Sequence, residues 1–495
     1  MINSKKSVLN KIDAYLAKQT VADLKDMLDF PWPDKMHIDV FVGTCLQLVR
    51  EVCKRSGHPV VLWGTSYMIY DGEKYLPVSS KELSRHFIGA IVKQAAMSAD
   101  AHMNNYKLYD IADKKADLYF TVQDVFGEGT KPVNGIPFRN GLLTAVSDPT
   151  APSGARVKFI EGRDPRWLNT YLLDAEWGTT PKATPVWDKF SGFSLPDAGL
   201  RQYTMGWIGN AIAGDPLRAE KAMLFVGIGG AGKSTILQLA RDIVSTQACM
   251  EVPSLGKLTE NEGRYAANME SASLCMSSDS SSNVRAKDLL KSLVSKEPFT
   301  LEEKFKNPRE IMPRATIMCA SNDSAIAYLM NDSGLNRRFD MIKFDRKPKK
   351  PEPGLSKMLA SESQDIAHKM ALEWVKHTEA NGILKRPDKM QQYIDQEAGD
   401  NNPVASSLME AGLSISQDGG DVWIQDKELY AFVHEYHLNN GYNVQRFNLG
   451  ALTARLKEFG APHARGSKGK PKFYLRILDK KAFASSQIKI VKSKP

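Results

Sequence analysis

Four short apolar runs stand out in the middle of the chain: Ala222–Val226, Ala272–Met276, Ala315–Ala320 and Met341–Phe344. Each is bounded by glycine, serine, asparagine or charged residues, which predicts buried strands. The first run leads directly into Gly227-Ile-Gly-Gly-Ala-Gly-Lys-Ser-Thr235, after which Ile236, Leu239, Ala240 and Ile243 recur at helical spacing. Strand, glycine loop, helix and further strands predict an α/β core. Upstream, His37–Lys54 places Val40, Cys45, Leu48 and Val49 on one helical face. Val60–Trp63, Tyr67–Tyr70 and Lys74–Val78 read as strands, with a turn at Asp71-Gly72. Asn134-Gly135 and Asn140-Gly141 signal further turns. Downstream, Leu429, Phe432, Val433 and Tyr436 share a helical face that Asp426 is expected to cap. A second helix from Asn448 turns Leu449, Leu452, Leu456 and Phe459 inward.

Two breaks interrupt this pattern, the Pro- and Lys-rich segment KPKKPEPG at 347–354 and EAGDNNP at 397–403. They divide the chain into a short helical N-terminus (1–35), a mixed α/β accessory domain (36–212), a P-loop core (213–346), a linker with a helical segment (347–403) and a C-terminal domain (404–495). In the last of these, two helices precede a basic turn, Arg465-Gly-Ser-Lys-Gly-Lys-Pro-Lys472, and the strand Phe473–Leu478. Helix, helix and basic hairpin resemble a winged helix. The expected fold class is α/β: a P-loop, AAA+-like ATPase core between an N-terminal accessory domain and a C-terminal winged-helix domain.

Charge sharpens the picture of the C-terminus. The chain carries +9, yet Thr453–Pro495 alone holds twelve Lys or Arg against two acids, so the rest is close to neutral. A localised basic stretch suits a polyanion, most often nucleic acid. The five cysteines form no C-x-x-C pair, which argues against a disulfide framework or a zinc site. No apolar run approaches the ~18 residues of a membrane span. Met1–Thr20 carries four lysines and no apolar stretch, unlike a secretory signal. A cytoplasmic protein without a membrane partner is expected.

The segment from Gly227 matches G-x-x-x-x-G-K-[ST] in the context the motif needs. Glycines let backbone N–H groups wrap a phosphate, and the helix N-terminus adds partial positive charge. Gly227, Gly229, Gly230, Ala231, Gly232, Lys233, Ser234 and Thr235 are the expected nucleotide-binding residues. Lys233 would reach the β- and γ-phosphates of ATP, and Ser234 would take a place on Mg2+. Such a site also needs a carboxylate on a neighbouring strand; Asp279, just beyond Ala272–Met276, is the candidate, acting through the Mg2+ shell. Asn322, at the tip of the Ala315–Ala320 run, is placed to orient the lytic water. Arg337 and Arg338 precede a buried strand, an awkward place for charge unless a carboxylate or phosphate meets them. Either suits an arginine supplied across a subunit interface.

In order and spacing, GIGGAGKST, LCMSSD ending at Asp279, Leu290–Glu297, Glu303-Lys-Phe-Lys306, TIMCASN and GLNRRFD resemble a superfamily 3 helicase of the phage, plasmid and poxvirus primase-helicase type. NGIPFRNGLL, WDKF and GWIG extend the likeness upstream. The resemblance implies a homo-oligomeric ring, usually a hexamer, with ATP between subunits and single-stranded DNA in the pore. It assigns the trans-acting arginine to Arg337 or Arg338 and the DNA-gripping hairpin to Lys304 and Lys306. Arg465, Lys468, Lys470 and Lys472 would lie along phosphates. Two positions depart from the family: Asp279 stands where relatives commonly carry Glu, and Ser295-Lys-Glu297 stands where they are rich in Gly-Gly-Asp. No paired-carboxylate strand motif precedes residue 130, so no primase domain is expected. The expected function is an ATP-dependent DNA helicase in replication of a phage, plasmid or mobile element, in the host cytoplasm. The rivals are a DNA-binding initiator or loader switched by ATP, and a small-molecule P-loop kinase.

Overall fold

The computed structural model describes residues 2–28, 38–63, 66–88, 90–91, 105–278, 284, 286–301, 309–322, 332–382, 384–400, 403–415, 420–439, 448–458, 461–465 and 471–491. They fall into two compact units, Met1–Asp323 with Arg337–Met390, and Ser324–Asn336 with Gln391–Pro495.

The first unit opens with α1 (Ile2–Leu16), α2 (Val21–Lys25) and α3 (Ile38–Arg55). Thr20 caps α2 in a reciprocal box with Asp23. Val8, Ile12 and Leu16 are buried in one cluster with Phe41, Leu48 and Val52 of α3 and with Phe87 and Phe120. The N-terminus expected to stand apart at 1–35 is therefore part of this core. A lone 15-residue helix is marginal in water, and α1 gains its stability by burying its apolar stripe here. Strands β1 (Val60–Trp63), β2 (Ser66–Tyr70) and β3 (Tyr75–Val78) form an antiparallel sheet. Asp71 closes the β2–β3 turn, accepting from the Glu73 and Lys74 amides. Short helices α4 (Ser80–Leu83), α5 (Asn105–Lys115) and α6 (Val122–Phe126) follow. A second antiparallel sheet comprises β4 (Ile136–Phe138), β5 (Gly141–Ser147) and β6 (Ala155–Glu161), with Asn140 in the β4–β5 turn.

The centre of the unit is a parallel sheet of β7 (Ala222–Gly227), β8 (Cys249–Glu251), β9 (Leu274–Ser277), β12 (Thr316–Ser321) and β13 (Phe339–Phe344), in the order β13-β7-β12-β9-β8. Its strands other than the edge strand β8 are buried and nearly continuously apolar, as a sheet covered on both faces requires. Cys275 and Cys319 are small core residues of β9 and β12. Helices α7 (Pro185–Ser194), α8 (Ala198–Ile212), α9 (Lys233–Val244), α10 (Leu255–Leu258), α11 (Lys287–Val294) and α13 (Leu355–Asn381) accompany it, with a two-stranded β10 (Phe299–Leu301) and β11 (Arg309–Ile311); α12 (Ser333–Arg338) begins in the second unit and ends in the first. α13 packs on α8 and α9. The α8 contact is close because of Gly209, where a Cβ would lie 2.4 Å from the Met370 carbonyl oxygen. The break expected at 346/347 therefore does not separate domains: the 347–354 loop leads into a helix of the same core. Likewise α7 and α8, expected in the accessory domain, pack with α13. Among the described residues no helix is long and apolar enough to cross a membrane.

After α14 (Asp388–Asp400), the second unit contains α15 (Pro403–Glu410), β14 (Leu413–Ser414), β15 (Val422–Gln425), α16 (Asp426–Asn439), α17 (Leu449–Glu458), β16 (His463–Arg465), β17 (Pro471–Ile477), α18 (Lys480–Ser485) and β18 (Ile490–Val491). Leu429 and Val433 of α16, Leu452 and Leu456 of α17, and Phe473 and Leu475 of β17 share its core. Asp426, expected to cap this helix, is its buried first residue and joins other elements instead. Its Oδ2 accepts from Thr453 Oγ1 at 3.1 Å and lies 3.1 Å from His463 Nε2, tying α17 and β16 to α16.

Candidate functional site

Strand β7 ends at Gly227, and α9 starts at Lys233 with Gly232 as its N-cap. The loop between them turns on φ values only glycine adopts freely: 142° at Gly227, 79° at Gly230 and 105° at Gly232. At Gly232 space is also short, since a Cβ would lie 2.8 Å from Phe190 Cε2 and 3.1 Å from Ser194 Oγ. Ile228, Gly229, Gly230 and Ser234 are exposed, whereas Ala231 and Lys233 are buried. Lys233 Nζ donates to the carbonyl oxygens of Gly227 at 2.6 Å and Ile228 at 2.8 Å. Burial holds its pKa below the usual lysine range. The ammonium is thus folded into the loop, and a phosphate offers it an anionic acceptor in exchange for two neutral ones. Backbone N–H groups at a helix N-terminus, an inward lysine and an exposed serine hydroxyl form a donor set suited to a nucleotide triphosphate with a divalent ion.

Strand β12 lies between β7 and β9, with Ser321 paired to Val226 and Cys319 to Ser277. Asn322, one residue past β12, is therefore level with the start of the P-loop. It lines the same cleft, about 810 Å3 in volume, as Gly229–Thr235. The far wall is built from Phe190 and Phe193 of α7 and from Pro348, Pro351 and Leu355. Lys189 and Glu352 pair at 2.9 Å from one side of that wall to the other. Sequence reasoning missed this wall. In the sequence WDKF reads as an upstream likeness and KPKKPEPG as a linker, and periodicity carries no information about a helix and a distant loop meeting across a cleft. Asp279 lies outside the described residues. Its neighbour Ser278 lines a small cavity of about 190 Å3 together with Ser234, Arg241 and Glu251, so the end of β9 and the P-loop serine share one space. Arg241 and Glu251 are ion-paired there.

The two adjacent arginines are placed very differently. Arg338 is 8% exposed and donates from Nε to Ser295 Oγ at 2.8 Å, with Glu220 3.9 Å away. Arg337 is exposed and its carbonyl accepts from Lys221 Nζ at 2.6 Å. It sits at the start of β13, where Phe339 pairs with Ala222, while the P-loop leaves the far end, where Phe344 pairs with Gly227. Five steps along the strand span ~17 Å, more than an arginine side chain crosses. Next to Ser295, Lys296 takes the left-handed φ of 56° and is buried, donating to Gly214 O at 3.0 Å beside Asp215.

Of the residues expected to meet DNA, Lys304, Lys306, Lys468 and Lys470 lie outside the described residues. Arg465 ends β16. Lys472 is placed against its expected role: it is 2% exposed on β17, with Nζ 5.0 Å from the centre of the Trp423 ring, so its charge faces its own sheet and not solvent. Strand alternation is the reason, because it puts Lys472, Tyr474 and Trp423 on one face, where Trp423 stacks on Tyr474 with ring centroids 4.7 Å apart.

Residues 225–338 match the model of a family of unknown function, DUF5906. No curated protein matches the chain. Among solved structures, the chain is similar to the A form of the apo C-terminal region of NrS-1, at 13% identity and a TM-score of 0.46, over 86% of this chain and 98% of that one. It is also similar to the active helicase Cch of SCCmec type IV, at 11% identity and a TM-score of 0.38, over 85% and 91%. A third similarity is to the JCV helicase with a substituted phenylacetamide compound bound, at 17% identity and a TM-score of 0.22, over 43% of this chain and 64% of that one.

Proposed function

We propose that this chain is an ATP-dependent DNA helicase of the superfamily 3 type, working as a homo-oligomeric ring, usually a hexamer, in replication of a phage, plasmid or mobile element. The observation that carries the ATPase half of the reading is the cleft in which the P-loop, Lys233 and Asn322 converge. Lys233 and the loop amides bind the phosphates, and Asn322 orients the attacking water. Ser234 and Asp279 would hold Mg2+, which would supply neutralisation of the charge developing on the phosphates. Phe190 and Phe193 give the rest of the nucleotide an apolar wall.

The ring half rests on Arg337. An exposed arginine at the end of the sheet opposite the P-loop cannot serve its own nucleotide; it serves a neighbour's. The DNA half rests on charge. Lys304 and Lys306, which lie in sequence between the antiparallel strands β10 and β11, would contact the DNA strand. The basic C-terminal unit, read as a winged helix, lies along phosphates through Arg465, Lys468 and Lys470, with salt-sensitive and largely sequence-blind contacts. The deciding experiment is ATP hydrolysis by size-separated fractions with and without single-stranded DNA, followed by strand displacement in the active fraction. DNA-stimulated turnover in a ring-sized fraction that displaces strands is the expected result. Turnover by a monomer indifferent to DNA overturns the helicase reading. Stimulated turnover without displacement replaces it with an ATP-switched initiator or loader.

A further inference from the structure

Around the start of β13 the first unit gathers several charged groups out of solvent. Asp340, with no exposure, accepts from Tyr203 Oη at 2.6 Å and from Arg386 Nε at 2.7 Å. Arg386 also donates from Nη2 to the Phe339 carbonyl at 2.8 Å. Lys221 lies 3.6 Å from the same carboxylate and places its ammonium on the Arg337 carbonyl. Burial pushes the Lys221 pKa down, so holding that charge is costly. On the other flank Arg338 is drawn inward by Ser295 Oγ, which itself donates to Glu220 at 3.1 Å. Every residue from Arg338 to Asp340 is buried and pinned, and Arg337 is the exposed member of the four.

Ionic groups withdrawn from water are weak stabilisers, and apolar side chains of similar volume commonly hold a strand as well or better. What charges add is direction: a bidentate guanidinium and an ammonium fix a backbone's orientation where apolar contacts leave it free to slide. The contacts made here fall on the Arg337 and Phe339 carbonyls as well as on a side chain. We infer that Lys221, Asp340 and Arg386 form a buried clamp that positions Arg337 toward the nucleotide of a neighbouring subunit, which makes them positioning residues for hydrolysis in trans. The inference rests on the proposed trans-acting role of Arg337. It goes beyond that role in assigning three residues, from the start of β7, β13 and the segment after α13, to one device. Tyr203 joins α8 to it, so the clamp draws on four separate parts of the first unit.

The test is co-expression of marked subunits, read as ATP turnover per assembled ring. A Lys233→Ala subunit keeps its arginine but has no working P-loop; an Arg337→Ala subunit is the reverse. Each alone is expected to be inactive, and the mixture active, because one supplies the arginine and the other the nucleotide. Arg386→Lys keeps the charge but cannot hold Asp340 and the Phe339 carbonyl together. Alone it is expected to lose at least tenfold in turnover while binding a fluorescent ATP analogue as the unaltered protein does. Mixed with Lys233→Ala it is expected to recover as Arg337→Ala does. Lys221→Met, which removes the ammonium from the Arg337 carbonyl, is expected to behave alike and decides the matter if Arg386→Lys fails to fold. Normal turnover by either folded variant alone overturns the clamp. So does a loss that Lys233→Ala cannot rescue while it rescues Arg337→Ala, since the defect then lies on the nucleotide-receiving side. Failure of Arg337→Ala with Lys233→Ala to recover overturns the trans role itself.

Discussion

Replacing Gly232 by alanine tests the nucleotide cradle with one methyl group. Gly232 holds φ at 105°, a conformation that costs a residue with a Cβ about 1–3 kcal/mol. The added methyl would also meet Phe190 Cε2 at 2.8 Å, Phe190 Cζ at 3.0 Å and Ser194 Oγ at 3.1 Å. Overpacking of this kind costs roughly 1–3 kcal/mol. If the loop kept its shape, the strain would total roughly 2–6 kcal/mol. Much of the loop is exposed, so it can shed that strain by swinging away from α7, and the stability of the whole unit should fall by less than about 2 kcal/mol. The nucleotide then bears the cost, because binding requires the cradle to re-form. An affinity loss of at least 2 kcal/mol is a rise in Kd of about 30-fold or more. Titration with a fluorescent ATP analogue, alongside urea unfolding, separates the two effects. Adding Phe190→Leu should recover the steric share and leave the φ share. A Gly232→Ala protein that binds nucleotide within threefold of the unaltered one would refute the cradle geometry.

Lys233→Ala should abolish ATP hydrolysis while DNA retention on a filter stays near normal; intact turnover would remove the P-loop assignment. Lys472→Ala should destabilise the C-terminal unit by about 1–2 kcal/mol through loss of its cation–π contact and packed stem, measured by urea unfolding, with no change in the salt slope of DNA binding. The double change Lys468→Glu and Lys470→Glu should reduce that log–log salt slope by roughly 1.5, and an unchanged slope would remove the phosphate-contact claim. Burial holds the imidazoles of His368 and His377 below the usual histidine range. The unfolded chain takes up these protons near pH 6.5 and the folded chain only at lower pH. Stability should therefore fall as pH drops below about 6.5, and His377→Gln should flatten part of that slope in pH-dependent unfolding.

The nucleotide loop was legible in the sequence because its chemistry is local. Glycines at positive φ, a lysine at the helix start and a serine beside it are set by consecutive residues, and the flanking apolar run and helical stripe declare their own strand and helix. Four of the five parallel core strands could be read for the same reason, each being a short apolar run between turn residues, whereas the three-residue edge strand β8 has no such run. Sequence order did not reveal what lies across the cleft. Phe190, Phe193, Pro348 and Pro351 come from segments more than 150 residues apart and meet only when α7 and the approach to α13 are packed. Nor could it separate Arg337 from Arg338: adjacent, identical residues differ only because one points at Ser295 and Glu220 and its neighbour at solvent. Lys472 looked like its basic neighbours until strand pairing turned it beneath Trp423. The clamp of Lys221, Asp340 and Arg386 had no local signature at all. A buried charge is intelligible only beside its partner, and the partners come from distant parts of the chain that tertiary packing alone brings within hydrogen-bonding distance.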